Sequence, residues 1–258
     1  MLNMLHRFQH LVASLVVGLT IAPLIFAFGT VRAESAEPAF SVLVFSKTAA
    51  YRHNSIASGI GAIRALGNFN NFRVDASEDA GLFTDQNLAK YRVVIFLSTS
   101  GNILDVEGKA AFERFIQRGG GFVGIHSASD TEYDWPWYEG LVGTYFHKHP
   151  AIQSATLRVV DPSHVSTRPL PIEWTRTDEW YNFRHDLAPD ITVLVRIDER
   201  TYRGGSMGAD HPISWYHTYE GGRAWYTAIG HTIESYSEPL LLQHLLGGIN
   251  WAAGVSSQ

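Results

Sequence analysis

The chain has 258 residues and no cysteine. No disulfide framework can brace it, and no thiolate can serve as nucleophile or metal ligand. Charge is scarce too. Asp, Glu, Lys and Arg make up 17% of the residues, against roughly 25% in typical soluble domains. Nor is there a basic excess: the formal net charge is −5. That argues against nucleic acid or an anionic lipid surface as partner, because both are recognised through basic patches. Beyond Ala33 no apolar stretch is long enough to span a bilayer. Any chemistry must come from histidines, carboxylates and aromatic side chains. These are plentiful, with 12 His, 7 Trp and 11 Tyr.

The long apolar run lies near the N-terminus. Arg7 precedes it, it extends from Leu11 to Phe28, and Val31-Arg32-Ala33 puts small residues at the −3 and −1 positions of a signal-peptidase site. A signal peptide over residues 1–33 is expected, followed by one domain over 34–258. The mature protein would be periplasmic or secreted and not membrane-embedded. About 225 residues would remain, enough for one large α/β core.

The first half alternates strand and helix patterns. Buried-strand runs occur at Phe40–Phe45, Phe72–Ala76, Tyr91–Leu97 and Gly121–Ile125. Between them, Asn54 is positioned to cap a helix reaching about Leu66, Thr84 to cap a short one, and a third runs from about Asp105 to Gln117 before Gly119–Gly121 stop it. Such alternation implies a mainly parallel sheet with helices on both faces. After Asp130 the pattern loosens. Strand candidates remain at Ala155–Val160, Thr192–Ile197, Ile213–His217 and Arg223–Ile229, and a closing helix spans about Glu238–Ala252.

The most informative stretch surrounds His126. A buried strand ends abruptly there, with Gly124 two residues before and Ala128 two residues after. This is the spacing of a nucleophile elbow, a sharp turn that tolerates only small neighbours and lifts one side chain above the sheet. An elbow normally presents Ser or Cys; this one presents His126. The bland reading is a turn whose histidine caps the next helix. Other strand ends weigh against it, since Arg52 and His53 follow the first strand and His231 follows a late one. Parallel strands deliver their carboxyl ends to one edge, where ligands of open α/β folds bind. Carboxylates near that edge would raise the imidazole pKa values.

The segments FSKTAAYRH (45–53), GGGFVGIHSASDT (119–131), DEWYNF (178–183), DERTYRGGSMGADHPISW (198–215), GGRAWYTAIGHTIESY (221–236) and HLLGGINWAAG (244–254) together resemble the trehalose-utilisation, or ThuA-like, family. The resemblance implies a flavodoxin-like sheet of the class I glutamine amidotransferase type. In that fold the elbow carries a cysteine, and a histidine with a nearby glutamate follows a late strand. Here His231 and Glu234 stand as a comparable late pair, but His126 occupies the elbow, so thiolate-driven glutamine hydrolysis is not available. The link to sugar utilisation implies a small-molecule carbohydrate as partner.

Other motifs are less specific. Asp178-Glu179-Trp180-Tyr181 reads either as a sugar-binding or acid–base segment or as a surface turn with Trp180 in the core. The Gly204–Pro212 loop lacks the lysine and strand–loop–helix order of a phosphate-binding loop. Asp210 and His211 lie within reach of the site or merely fix the turn. His147-Lys148-His149 reads as a solvated loop rather than a metal pair, and Trp135-Pro136-Trp137-Tyr138 as a wall or as core. No HExxH pattern is present, so no cofactor is expected; a divalent metal on His53, His126 and His231 is the open possibility.

The expectation that results is a sugar- or keto-sugar-acting hydrolase or lyase. His126 and His231 would be acid–base groups assisted by Glu179 and Asp130, and Arg52, His53, Tyr181, Asp178 and His211 would bind substrate. The rival is a carbohydrate-binding or accessory protein on a retired amidotransferase fold, including a partner of an exported oxidoreductase.

Overall fold

Runs of buried apolar residues build the first strands. A computed structural model describes residues 37–255; the expected signal peptide lies outside the described residues. Strands β1 (Phe40–Phe45), β3 (Val93–Leu97) and β4 (Gly121–Ile125) are enclosed on both sides, as a parallel strand under two helix layers must be. With β2 (Phe72–Ser77) and β11 (Gly222–Thr227) they pair in parallel in the order β2-β1-β3-β4-β11. That is the flavodoxin-like order, with its switch point beside β1.

Four further strands extend the sheet from β11 as an antiparallel series: β10 (Pro212–Tyr219), β9 (Thr192–Ile197), β6 (Gln153–Val159) and β7 (Glu173–Asp178). A separate ribbon pairs β5 (Phe146–Lys148) with β8 (Asn182–Phe183). The sequence pattern misses β5, β7, β8 and the helix α4 (Pro136–Val142). Strand β7 escapes notice because its inward side chains are Trp174, Arg176 and Asp178, two of them charged.

Helices α1 (Ile56–Phe69) and α5 (Pro239–Ala253) cover one face; α2 (Asp85–Leu88), α3 (Val106–Gln117) and α4 cover the other. Asp105 and Thr84 cap α3 and α2 through their side chains. Asn54 does not cap α1. That position belongs to Ser55, whose hydroxyl donates instead to the Gly230 carbonyl and ties the start of α1 to the loop after β11. Trp135, Tyr138 and the partly buried Trp137 pack on Phe96, Phe112 and Phe122, so this aromatic group is core. No helix among the described residues is long and apolar enough to cross a membrane.

Candidate functional site

His126 sits directly after β4 with φ of +54°, a conformation that a side chain bearing Cβ rarely adopts. The surroundings hold it there. The Tyr226 hydroxyl donates to the His126 carbonyl at 2.7 Å, and the ring Nδ1 meets the Ala228 carbonyl at 2.8 Å. Gly124 is required two residues earlier, since a Cβ there would stand 2.9 Å from the Tyr226 ring. Strain imposed by so many contacts at a strand end is a mark of functional positions.

The loops after β1 and β11 bring two more imidazoles to the same edge. His126 Nε2 lies 3.1 Å from His53 Nε2 and 3.2 Å from His231 Nδ1. Glu179 and Tyr181 arrive from the antiparallel side, just beyond β7. The Glu179 Oε2 atom is 3.1 Å from His231 Nδ1 and 3.5 Å from His126 Nε2, and the Tyr181 hydroxyl is 3.0 Å from His126 Nε2. His53, His126, Glu179 and His231 each offer one ligand atom, all within 4.8 Å of one another.

The cluster is nearly dry. His126 is fully buried and His53, Glu179 and Tyr181 almost so, while the His231 side chain keeps 18% of its surface open. Burial, reinforced by the neighbouring imidazoles His126 and His231, pushes the His53 pKa down to about 3. Burial also disfavours charge on Glu179, yet the adjacent His126 and His231 imidazoles hold its carboxyl well below the ordinary carboxylate range. At His231 burial is outweighed by the Glu179 carboxylate, and the pKa is raised. The expected upward shift therefore holds at His231 and is reversed at His53, where desolvation dominates.

Other candidates from the sequence take different places. Asp130 lies beside the cluster, hydrogen-bonded by the Tyr133 hydroxyl at 2.5 Å; burial raises its pKa against that bond. Asp178 does not face a substrate. It is completely buried, pairs with Arg176, and accepts hydrogen bonds from the backbone N–H groups of Glu179, Gly230 and His231. Arg52 is exposed and paired with Glu78 at 2.6 Å, away from the imidazoles. His211 is buried behind the site, between the Glu199 carboxylate and the Tyr181 carbonyl, and so fixes the Tyr181 backbone rather than binding a ligand. Asp210 is exposed beside Arg196. Glu234 is exposed as well, and the carboxylate beside His231 is Glu179.

Three neighbours were not placed at the site by sequence. His149 sets Nδ1 3.0 Å from Glu179 Oε1 while its side chain stays 42% exposed, so the HKH loop contributes one of its two histidines. Ser127 Oγ stands 3.3 Å from His53 Nδ1 and orients that ring. Tyr51, 62% exposed, sets its ring edge-on to His53 at 4.8 Å. The family segment FSKTAAYRH contained Tyr51, but nothing in its spacing marked the tyrosine. A cleft of about 630 Å³ lies elsewhere, lined by Arg158, Arg196, Asp198 and Arg200. Its arginines are paired with Asp198 and Asp210, and it holds no histidine.

The ThuA family, described as trehalose utilisation, matches residues 41–252. The chain belongs to this family. It is similar to a protein of Bacteroides uniformis described as ThuA-like, at 24% identity and a TM-score of 0.73, over 87% of this chain and 95% of that one. A protein of Parabacteroides merdae with the same description gives 21% identity and a TM-score of 0.71, over 86% and 92%. A Thermoplasma acidophilum protein described as part of a GMP synthase shares 14% identity at a TM-score of 0.50, over 83% and 94%. At these identities the likenesses show the fold alone. No curated protein matches the chain.

Proposed function

We propose that this ThuA family member is an enzyme acting on a sugar or an oxidised (keto) sugar, a hydrolase or lyase working by histidine and carboxylate acid–base chemistry. The observation that carries the reading is the contact between His231 and Glu179 beside His126, partly open to solvent at the carboxyl edge of the parallel strands. An imidazole held against a carboxylate can accept and return a proton, which enolisation next to a carbonyl and protonation of a glycosidic oxygen both require. Asp130 stands by as a second carboxyl, and the exposed ring of Tyr51 offers a face for the C–H surface of a pyranose.

The test is a screen of sugars and their keto derivatives for turnover, repeated with His231→Ala and Glu179→Gln. Loss of turnover with ligand still bound supports the enzyme. Sugar binding without turnover by the parent chain, with affinity lowered in the variants, would instead favour the carbohydrate-binding alternative. We also propose export, with cleavage after Ala33. Sequencing the N-terminus of the protein from its host tests this, and a start at Met1 in a membrane fraction would overturn it.

A further inference from the structure

We propose that His53, His126, His231 and Glu179 form a binding site for one divalent first-row transition cation. The proposal stands on the geometry of the four side chains and not on the sugar reading.

His126 decides it. Its Nδ1 meets the Ala228 carbonyl at 2.8 Å, and a carbonyl can only accept, so the ring proton is on Nδ1. In the neutral ring Nε2 is then left with one in-plane lone pair and no hydrogen. Four polar atoms nevertheless crowd around it: His53 Nε2, His231 Nδ1, Glu179 Oε2 and the Tyr181 hydroxyl, at 3.0–3.5 Å. One lone pair accepts one good hydrogen bond, so most of these contacts are unrewarded between protein groups alone. A cation at their centre would engage three imidazole nitrogens and the carboxylate at once.

The spacing fits. Tetrahedral ligands at about 2.0–2.1 Å from a metal stand roughly 3.3–3.4 Å from one another. Three ligand-atom separations here are 3.1, 3.2 and 3.1 Å, a fourth is 3.5 Å, and none exceeds 4.8 Å. The supporting shell is present as well. The Ala228 carbonyl orients His126, Ser127 Oγ orients His53, and His149 meets the second oxygen of Glu179, as outer partners of metal ligands do. Three imidazoles with a single carboxylate favour zinc, iron, cobalt or nickel over magnesium or calcium, which prefer all-oxygen sets.

With the ion bound, the three imidazoles are ligands. Asp130, held by the Tyr133 hydroxyl, is the carboxyl beside the cluster that stays outside the ligand set. The experiment uses the untagged protein, stripped with chelator and titrated calorimetrically with Zn²⁺ and with Mn²⁺; elemental analysis then gives the stoichiometry. One Zn²⁺ per chain is expected, with Zn²⁺ bound more tightly than Mn²⁺. Affinity should fall at least 100-fold in each of His53→Ala, His231→Ala and Glu179→Gln, while Arg52→Ala keeps it. His126→Ala is informative only if circular dichroism shows it folded, because that position carries strain; the other three keep the test decisive. Failure of the parent chain to bind either ion, or stoichiometric binding that survives in all three variants, overturns the site. Sugar turnover persisting in metal-free protein would leave the acid–base reading standing without the metal. Stoichiometric zinc without sugar turnover would do the reverse.

Discussion

The parallel half of the sheet and its antiparallel extension both supply the site, but by different routes. In the parallel half the delivery is local: β1, β4 and β11 run parallel, with β3 between the first two, and their carboxyl ends share one edge, where His53, His126 and His231 lie in the segments that leave them. The antiparallel half has farther to come. Four strand-to-strand steps separate β7 from β11, which in a flat sheet is about 19 Å at roughly 4.8 Å per step. Yet Asp178 at the end of β7 accepts hydrogen bonds from the Gly230 and His231 N–H groups. The extension therefore curls back over the edge, and Glu179 and Tyr181 come with it. Parallel strands collect side chains by topology, whereas the extension must be tethered.

Breaking the tether should have the largest effect. Asp178→Ala removes the acceptor for three backbone N–H groups and leaves Arg176 with Glu238 as its remaining carboxylate partner. Truncating one member of a buried ion pair costs about 3–5 kcal/mol. At roughly 2–4 °C per kcal/mol for a domain of this size, the melting temperature should fall by about 10 °C. Calorimetry measures it. A fall of under 2 °C would mean that the two halves are held together elsewhere.

Acid should loosen the seam between the halves. His244 on α5 is fully buried, bonded to the Ser166 carbonyl and Ser214 Oγ on β10, with His164 and Arg176 as its titratable and charged neighbours. Burial lowers its pKa from 6.5 to about 4. The folded state thus takes up the proton less readily than the unfolded state. Stability is complete above pH 6.5, falls as the pH drops towards 4, and has lost about 3 kcal/mol below that, at ~1.4 kcal/mol per pKa unit. Urea unfolding at pH 7, 5.5 and 4 checks the sign. The slope should be shallower in His244→Gln, and an equal slope in the two proteins would remove His244 from the account.

Within the parallel half, Gly124→Ala should cost about 1–3 kcal/mol, because the new methyl group meets the Tyr226 ring at 2.9 Å and Phe122 at 3.2 Å. Since Tyr226 also holds the His126 carbonyl, zinc affinity or turnover should drop more than stability alone explains. Arg52→Ala should do least. Its pair with Glu78 is about half exposed, so the change is expected within about 0.5 kcal/mol, with no effect on turnover. A tenfold loss of turnover would restore Arg52 to the site.

Legibility divides along the same line. The elbow at His126 could be read from Gly124 and Ala128, and β9 from its apolar run at Thr192–Ile197, because small residues and hydrophobic periods act over a few positions. Strand β7 could not be read so. Its buried face is built on Trp174, Arg176 and Asp178, a pattern that looks solvated until Glu238 and Ser235 are seen to satisfy the arginine. The same cause misdirected the pairing of His231. Glu234 is three residues away in sequence yet points to solvent, whereas Glu179, 52 residues away, makes the contact.

The amino-acid sequence by itself determined the family, the parallel strand–helix alternation, the absence of any thiolate and the three histidines at strand ends. Each follows from local composition, from period, or from the rule that parallel strands end at a common edge. The DEWYNF segment already nominated Glu179 and Tyr181, but only the tertiary structure decided that they meet the imidazoles, that His149 joins them, that Asp178 and His211 hold the cluster from behind, and that Arg52 stands outside it. The reason is the curl of the antiparallel strands. It arises from long-range pairing and buried polar tethers, and no spacing along the chain encodes which carboxylate they carry to the imidazoles.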